Sequence, residues 1–496
     1  MRDLLRDPLC KPEDLGKPIP DSPHAVSVCM PTWDSVIAYE EERPEVLATL
    51  ACGYPRFVLH PTVARLFAAA EERFARDGER CLVFPSPAAA RRCLRFVGLA
   101  DSGIEAVHDV GFARLTAVSL PSSLFRDAFH FWRISGEIVS SRLARAALEE
   151  QRLPAGHETA AGVFIRRLAG WIDCDPGDVF LFPSGMNAVY ALHRFLLHTG
   201  RSGPTVQLGF PYVDTLEIQR RFSREVQFLA DPGPASLDRL RAVLEAGPVA
   251  GIFCETPSNP LLDTIDLETA AQLARRHGVP LFVDDTIATV YNVDVMPWAD
   301  AISTSLTKNI SGRGDVMAGS IAVSSASHFA VALRDFLRHR DDGELWPEDA
   351  AVLEENSRNF PERMERINRN TSALLHHLER RPQVAALYHP SLRCPEAYAR
   401  LRRPGRGGGG LFSMILNEGA LRAPRFYDAL AVNKGPSLGT DYTLCCPYTL
   451  LAHYRELNWA AQHGVPAHLL RVAVGLEDPT GLAERFDAAF RAAESV

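Results

Sequence analysis

The stretch from residue 175 to residue 325 alternates short apolar segments with helical patterns, and this alternation constrains the fold more than any other feature. Strands separated by helices pair in parallel, and a sheet covered on both faces consists of apolar runs. Between two of the strands, Asp266 predicts the N-cap of a helix and Gly278 its C-terminal end. The pattern therefore predicts an α/β protein with a largely parallel sheet. The predicted strands are 179–182, 206–209, 226–229, 250–254, 280–284, 301–304 and 320–323.

Ligands of such sheets bind at the carboxyl ends of the strands, and one of these ends carries a lysine. Lys308 follows the 301–304 strand, with hydroxyl groups at Ser305 and Thr307. A lysine placed there suits a covalent bond to an aldehyde cofactor, whose phosphate the hydroxyl groups would bind. An isolated lysine of this kind is more often a solvated loop residue, so this interpretation depends on the other strand ends.

Other strand ends offer groups that complement a phosphorylated pyridine ring. Asp284 ends its strand, and the carboxylate would either keep a ring nitrogen protonated or cap the following turn. Ser184, Gly185 and Met186 either offer backbone amides to a phosphate at a helix start or form an ordinary capping turn. Tyr212 also follows a strand, and its ring would either stack on a flat cofactor or pack as a half-buried side chain.

The last third of the chain holds two further features. Arg471 lies in an otherwise apolar strand. A substrate carboxylate would be a good bidentate partner for it, and a structural salt bridge is the alternative. The four glycines at 407–410 resemble a phosphate loop, but they precede a strand instead of opening a helix. They favour a closely packed turn.

The composition excludes several classes of protein. The net charge of -8 argues against a nucleic-acid-binding surface. The N-terminus is interrupted by charges, which predicts neither a secretory signal nor a membrane span. The 10 cysteines include no C-x-x-C pattern, which fits reduced thiols better than a zinc site or a disulfide framework. We therefore expect a cytoplasmic protein with no metal, membrane or nucleic-acid partner.

A chain of 496 residues is long enough for two or three domains. We predict an N-terminal extension at 1–130, a large domain at 131–360 and a smaller C-terminal α/β domain at 361–496. The segments 81–96 and 179–196 both have the pattern of a strand, a Pro-Ser turn and a helix. They are either a degenerate partial repeat or a chance likeness. In the second segment alone, a glycine after the serine lets backbone amides approach an anion.

Taken in order, these signals resemble a known family. Its motifs match at 184–186 (Ser-Gly-Met), 255–260 (Glu-Thr-Pro-Ser-Asn-Pro), 283–286 (Val-Asp-Asp-Thr), 305–308 (Ser-Leu-Thr-Lys), 437–439 (Ser-Leu-Gly) and 471–475 (Arg-Val-Ala-Val-Gly). The chain is similar to the Cys/Met-metabolism family of pyridoxal-phosphate (PLP) enzymes of fold type I. It is most similar to the long, fungal-type cystathionine gamma-synthases. The family motifs cover roughly residues 130 to 496, and the likeness to the long type extends further, through the segments 23–28, 53–57, 435–440 and 446–454.

The resemblance implies a fold type I transferase that binds PLP in its large domain. It gives Lys308 the covalent bond to the cofactor and the proton transfers, and it makes Tyr212 both a catalytic residue and the stacking ring. Asp284 would contact the ring nitrogen, and Asn259 would lie on the cofactor's oxygen side. The remaining roles are phosphate binding by Ser184, Gly185, Met186, Ser305 and Thr307, and carboxylate binding by Ser437 and Arg471.

Two departures from the family pattern affect the site. The family's Tyr-x-Arg segment reaches the phosphate of a neighbouring subunit, and its best match here is Phe-Trp-Arg at 131–133. Arg133 is therefore predicted to bind the phosphate, with Tyr54 and Arg56 as an open alternative. Asp285 replaces the family's common asparagine, and it changes the pKa values of the site only if it faces the cofactor.

The resemblance implies gamma-replacement on an O-acyl-L-homoserine, with cysteine as the nucleophile that gives cystathionine. The alternatives are another nucleophile, a gamma-lyase reaction or a non-catalytic subunit. Lys308 and Arg471 count against the last alternative. Because each site in the family borrows a neighbour's segment, we expect a homodimer or homotetramer.

Overall fold

The computed structural model describes residues 2–53, 58–100, 106–151 and 160–494. These residues form three β-sheets, with three, seven and five strands. The predicted α/β fold class is confirmed, since the seven-stranded sheet is mainly parallel and helices separate most of its strands.

Residues 2–53 are mostly irregular, and hydrogen bonds connect them to the C-terminal part of the chain. The Asn433 side chain donates to the Leu4 carbonyl at 3.0 Å and accepts from the Leu9 N–H at 2.9 Å. The Tyr427 hydroxyl donates to the Met30 carbonyl at 2.7 Å. The ordered elements here are a 3-10 helix (Pro12–Asp14), α1 (Trp33–Glu40) and α2 (Pro44–Leu47).

Residues 58–151 contain a small antiparallel sheet with helices packed around it. Its elements are α3 (Pro61–Phe74), β1 (Glu79–Phe84), α4 (Pro87–Phe96), β2 (Val107–Asp109), β3 (Thr116–Pro121), a 3-10 helix (Ser122–Leu124), α5 (Phe125–Ser135) and α6 (Ser141–Leu148). The strand order is β1-β3-β2. Helix α3 buries Val63, Leu66, Phe67 and Ala70 along one face, which is the spacing of an amphipathic helix.

The seven-stranded sheet carries the predicted strands. Its strands are β4 (Val179–Phe182), β5 (Thr205–Leu208), β6 (Val226–Leu229), β7 (Gly251–Glu255), β8 (Leu281–Asp284), β9 (Ala301–Ser305) and β10 (Gly319–Val323). Their order is β4-β10-β9-β8-β7-β5-β6, and every neighbouring pair is parallel except the two that include β10. The accompanying helices are α7 (Ala160–Ile172), α8 (Gly185–His198), α9 (Val213–Phe222), α10 (Pro234–Ala246), α11 (Leu267–Arg276), α12 (Thr289–Asn292), α13 (Ala330–Arg338) and α14 (Pro347–Asn356), with a 3-10 helix at Pro176–Asp178.

The predicted ends of helix α11 are confirmed. The Asp266 side chain accepts a hydrogen bond from the Thr269 N–H at 3.2 Å, as an N-cap does. Gly278, just after the helix, has a φ of +63°, which favours glycine.

The two segments compared as a partial repeat share more than a strand and a helix. Ser86 caps α4 by accepting from the Ala89 N–H, and Ser184 caps α8 by accepting from the Asn187 N–H. In addition, a helix precedes the strand in each unit, α3 before β1 and α7 before β4. The local structural likeness therefore covers a helix, a strand and a second helix.

The five-stranded sheet follows in the C-terminal part. Its strands are β11 (Val384–Tyr388), β12 (Leu411–Leu416), β13 (Asn433–Lys434), β14 (Leu444–Pro447) and β15 (Leu470–Ala473), in the order β11-β12-β15-β14-β13. The helices are α15 (Phe360–Leu378), α16 (Pro390–Arg393), α17 (Pro395–Leu401), α18 (Gly419–Ala429), α19 (Tyr448–His453), α20 (Leu457–Gln462) and α21 (Pro479–Glu494), with a 3-10 helix at Tyr454–Glu456.

The four glycines before β12 form the closely packed turn that their position predicted. A Cβ atom on Gly408 would lie 2.2 Å from the His389 ring, and one on Gly410 would lie 2.6 Å from Ile367. The Gly409 N–H donates to the Asn368 side chain at 3.0 Å. The glycines are therefore needed for close packing against neighbouring elements.

None of the ten cysteines is in a disulfide bond, as predicted. Over the described ranges, no helix combines the length and apolar character needed to cross a membrane. The same residues contain no cluster of three or more His, Cys, Asp or Glu side chains that would hold a metal ion.

Candidate active site

The predicted cofactor residues meet at the carboxyl ends of β7, β8 and β9. Glu255, Asp284 and Ser305 end these strands, and they line one cavity together with Arg471 of β15. The cavity therefore lies between the seven-stranded and the five-stranded sheets. The predicted residues that line it are Arg133, Ser184, Gly185, Met186, Tyr212, Asn259, Asp284, Ser305, Thr307, Lys308 and Arg471.

Lys308 lies in the turn after β9, and its side chain is buried. The Nζ atom donates a hydrogen bond to Ser437 Oγ at 3.0 Å. The turn itself is fixed, because the Lys308 carbonyl accepts from the Gly312 N–H at 2.8 Å and the Asn309 side chain donates to the Thr286 carbonyl at 3.1 Å. The amine is thus held at a defined place in the cavity, as covalent attachment and proton transfer require.

Asp284 provides a partly buried carboxyl group at the end of β8. One carboxyl oxygen accepts from the Thr286 N–H at 2.9 Å, and the other accepts from Ser303 Oγ at 3.4 Å. Burial raises the pKa of Asp284, and the hydrogen bonds from Thr286 and Ser303 oppose this rise. Within the described part of the chain, Asp284 forms no ion pair with a basic side chain. A cation bound in the cavity would therefore be its counter-ion.

The start of helix α8 offers an anion site beside Ser305. Ser184 Oγ donates to the Gly136 carbonyl at 2.9 Å and accepts from the Asn187 N–H at 3.1 Å. A Cβ atom on Gly185 would lie 2.7 Å from Ser305 Cβ, so only glycine lets the helix start come this close. Backbone N–H groups at a helix start favour a phosphate.

Thr307, the second predicted hydroxyl group, makes hydrogen bonds to a neighbouring backbone. Its Oγ1 accepts from the Ala318 N–H at 3.0 Å and donates to the Ala318 carbonyl at 3.3 Å. Thr307 therefore joins the lysine turn to the start of β10 while it lines the cavity.

Tyr212 is positioned by an acidic residue that the sequence interpretation gave no role. The Tyr212 N–H donates to Glu255 Oε1 at 2.7 Å, and both side chains line the cavity. Burial, followed by the nearby Asp284 charge, raises the pKa of Glu255 well above its ordinary value. The only signal in the sequence is that Glu255 opens the Glu-Thr-Pro-Ser-Asn-Pro motif.

Arg471 is buried and all of its hydrogen-bond partners are neutral. Nη1 donates to Asn259 Oδ1 at 3.2 Å, and Nη2 donates to the Pro436 carbonyl at 2.7 Å and the Ser437 carbonyl at 3.4 Å. The Cys446 side chain is a further partner. No acidic side chain among the residues described here pairs with Arg471. The structural salt bridge that was the alternative is therefore not formed, and a bound carboxylate would supply the missing charge.

The structure places the segment 131–133 against its own chain. Phe131 and Trp132 are 0% and 1% exposed in the core of the N-terminal sheet, which holds helix α5 in its own chain. Arg133, in the last turn of α5, lines the cavity of that same chain. Tyr54 and Arg56, the alternative, lie outside the described residues.

Asp285, the second departure, points away from the cavity. Its Oδ1 accepts a hydrogen bond from Thr304 Oγ1 at 2.5 Å, and Asp285 is absent from the cavity wall. Burial raises the pKa of Asp285 to about 7, although the Thr304 hydrogen bond opposes this rise. Successive side chains of a strand point to opposite faces, so Asp284 and Asp285 are separated by the backbone.

Two family models match this chain. The model described as Cys/Met metabolism PLP-dependent enzyme matches residues 175–491. The chain belongs to this family. The second model, described as fungal trans-sulfuration enzyme, N-terminal domain, matches residues 62–140. The predicted likeness to the long fungal type is therefore confirmed, and this member of the PLP family is an enzyme of the cystathionine gamma-synthase type.

Similar proteins cover the full length of the chain. A cystathionine gamma-synthase of Neurospora crassa is 34% identical and aligns with 97% of this chain and 99% of its own. An L-2-amino-4-chloropent-4-enoate dechlorinase/desaturase of Streptantibioticus cattleyicolor is also 34% identical, over 96% of this chain and 97% of its own. The solved cystathionine gamma-synthase of Xanthomonas oryzae in complex with cystathionine shares the fold, with a TM-score of 0.60, 22% identity and coverage of 69% and 90%.

Pyridoxal phosphate is the cofactor of this family, and the residues around the cavity fit it. Asp284 is a partly buried carboxyl group without a basic partner in the described residues, and it matches a protonated ring nitrogen. The start of helix α8 and Ser305 match a phosphate, and Lys308 matches an aldehyde carbon. When bound, the cofactor supplies a ring that accepts the electron pair left on a substrate carbon after a proton is removed.

Proposed function

We propose that the protein catalyses gamma-replacement on an O-acyl-L-homoserine with L-cysteine, giving cystathionine and a free carboxylic acid. The observation that carries this proposal is the contact between Lys308 Nζ and Ser437 Oγ, at 3.0 Å, at a cavity that Lys308 lines together with Asp284 and Arg471. One arrangement thus combines an amine, an acid for a ring nitrogen and a cation for a carboxylate. The full-length similarity to the Neurospora enzyme supports the same reaction class.

The substrate carboxylate would bind to Arg471. A guanidinium with neutral partners retains its full charge for a ligand, and it can bind a carboxylate through two parallel hydrogen bonds. Ser437 would bind the same carboxylate, because its backbone carbonyl already contacts Arg471 and its hydroxyl contacts Lys308. This places the α-carbon of an amino acid within reach of the lysine.

Lys308 would perform the proton transfers. Its Nζ removes the α-proton and then a β-proton, after which the bond between Cγ and the acyloxy oxygen breaks. The thiol sulfur of cysteine then forms a bond to Cγ, and Lys308 returns protons to Cβ and Cα. Tyr212, held by Glu255, would stack on the cofactor ring, and Asn259 would lie on its oxygen side. The phosphate would be bound by Ser184, Gly185, Met186, Ser305, Thr307 and Arg133.

The rival reaction is elimination, which a relative of equal identity favours. The Streptantibioticus protein is named as a dechlorinase and desaturase of a chlorinated amino acid. In this chain, elimination would convert the O-acyl-homoserine and water into 2-oxobutyrate, ammonia and the carboxylic acid. The two reactions share every step up to the loss of the acyloxy group.

The test is to incubate the PLP-loaded protein with O-acetyl- or O-succinyl-L-homoserine, with and without L-cysteine, and to identify products by mass spectrometry. We expect cystathionine with cysteine and slow 2-oxobutyrate formation without it. Equal 2-oxobutyrate formation in both reactions with no thioether would overturn the proposal in favour of a lyase. A panel of other thiol, amine and carbon nucleophiles would identify a different acceptor, and Lys308→Ala is the inactive control.

The proposal also includes a homodimer or homotetramer in the cytoplasm, built from the parts 1–130, 131–360 and 361–496. The resemblance to a family in which each site borrows a neighbour's segment supports the assembly. Light scattering of the purified protein would measure the mass, and a monomer would refute this part of the proposal.

A further inference from the structure

Tyr448 lies against Arg471 and has no role in the site described above. It opens helix α19 directly after β14, and in that strand Cys446 pairs with Arg471 of β15. The centre of the Tyr448 ring lies 4.7 Å from the Arg471 guanidinium carbon. Tyr448 is buried, at 3% exposure, and it lines the cavity. Its ring therefore contacts the arginine inside the site and not at the surface.

Asn259 connects the same two side chains through hydrogen bonds. Its Oδ1 accepts from Arg471 Nη1 at 3.2 Å, and its Nδ2 donates to the Tyr448 hydroxyl at 3.5 Å. The guanidinium is thus bound by Asn259 and the Pro436 carbonyl, and it lies over the face of the Tyr448 ring. Its position and its orientation are both fixed.

The chemical type of the side chain beside Arg471 decides whether the guanidinium keeps its charge available for a ligand. An aspartate or glutamate beside Arg471 would neutralise the guanidinium and compete with a substrate carboxylate. An aromatic face attracts a cation through its quadrupole but leaves the positive charge in place. In a desolvated cavity this attraction is at the upper end of its range.

We propose that Tyr448 is a positioning residue that makes the site selective for substrates with an α-carboxylate. Its ring holds the Arg471 guanidinium in the orientation that a carboxylate needs, without neutralising it. The hydroxyl group contributes less, because 3.5 Å is long for a hydrogen bond. This inference rests on the proposed role of Arg471 as the carboxylate-binding residue.

The test measures binding to the PLP-loaded protein of two unreactive ligands that differ only in the carboxylate. L-Norvaline has the carboxylate and n-butylamine lacks it, and both are titrated by the change in cofactor absorbance. For Tyr448→Met, which replaces the ring with a flexible side chain, we expect the norvaline Kd to rise roughly 10- to 30-fold. The butylamine Kd should change less than about twofold, and Tyr448→Phe should raise the norvaline Kd less than about threefold.

Two further variants distinguish a failure of the proposed Tyr448 role from a failure of the carboxylate site at Arg471 on which that role rests. Tyr454→Leu is the matched control, because Tyr454 packs in the same apolar cluster but is absent from the cavity wall and its hydroxyl contacts Glu41. It should leave both Kd values unchanged. Arg471→Lys tests whether Arg471 binds the carboxylate, and an unchanged norvaline Kd for this variant would refute the proposed carboxylate site itself.

Two results would refute the proposed role of Tyr448. If Arg471→Lys weakens norvaline binding but Tyr448→Met does not, the role of Tyr448 is refuted and the proposed function stands. The role is also refuted if Tyr448→Met weakens norvaline and butylamine equally, because the ring would then have only a structural role. If the methionine variant does not fold with the cofactor, Tyr448→Leu and Tyr448→His are measured in the same way.

Discussion

Asp441 pairs with two arginines at the same distance, and this allows a controlled test of what holds the lysine turn in place. Arg363 Nη1 lies 3.1 Å from Asp441 Oδ1, and Arg313 Nη1 lies 3.1 Å from Asp441 Oδ2. The Arg363 side chain is 3% exposed, whereas that of Arg313 is 52% exposed. Replacing Arg363 by methionine therefore removes a buried ion pair. Replacing Arg313 by methionine removes an exposed ion pair with the same N–O distance.

The expected losses differ several-fold. Arg363 also donates to the carbonyls of Asn309, at 3.2 Å, and Ile310, at 2.7 Å, which follow Lys308 directly. Arg363→Met leaves these buried acceptors and part of a buried carboxylate without a donor, so we expect unfolding free energy to fall by about 3–5 kcal/mol. Arg313→Met removes an exposed pair and should cost less than about 1 kcal/mol.

The assay is urea unfolding of both variants and the parent, followed by tryptophan fluorescence, with kcat measured on the folded protein. Because the lysine turn loses two of its supports, we expect kcat of Arg363→Met to fall roughly 10- to 100-fold. Arg313→Met should keep kcat within about twofold of the parent. Equal stability losses in the two variants, or an unchanged kcat for Arg363→Met, would refute the reasoning from burial.

Three further changes have expected outcomes in the same unfolding assay. The pKa of Asp285 is about 7 in the folded chain against an ordinary 3.8, so folding stability falls as pH rises through this range. Asp285→Asn, whose amide oxygen still accepts from Thr304, should then stabilise the protein at pH 8 by up to about 4 kcal/mol and give no gain near pH 4; a pH-independent difference would contradict this. Gly408→Ala should destabilise by about 1–3 kcal/mol, because its Cβ would lie 2.2 Å from the His389 ring. Gly170→Ala, in helix α7 with nothing within 4 Å of the new Cβ, should instead stabilise by about 0.5–1 kcal/mol, and a loss there would show that the steric reasoning is wrong.

The seven-stranded sheet and most of the cavity wall were predictable because they depend on local patterns. Each predicted strand overlaps an observed one, since short apolar runs between helices are typical of buried parallel strands. Parallel strands place their carboxyl ends at one edge, so Asp284 and Lys308 come together without any knowledge of the loops. The prediction of reactive residues was therefore a consequence of the predicted topology.

The supports of the site were not predictable, because their partners are distant in sequence. Tyr448 and Asn259 are separated by 189 positions, and Arg471 and Asn259 by 212. The position of Arg133 at the cavity of its own chain was not predictable for a similar reason. The motif match took no account of Phe131 and Trp132, whose burial holds the helix in its own chain. Contacts of this kind depend on packing between sheets, which no periodicity in the sequence records.

Asp284 and Arg471 were predicted from the sequence because each places a charge in an apolar strand, and the same charge suits each of them to bind a ligand. Asp284 is partly buried and Arg471 is buried. They carry opposite charges, and within the described residues neither has an oppositely charged protein partner. Burying such groups costs several kcal/mol, a cost that a ring cation and a carboxylate offset when they bind. A polar residue in an apolar strand is therefore visible in the sequence for the same reason that it is useful in the site. Neutral supports such as Tyr448 lack this signal, because their burial costs little and resembles ordinary core packing.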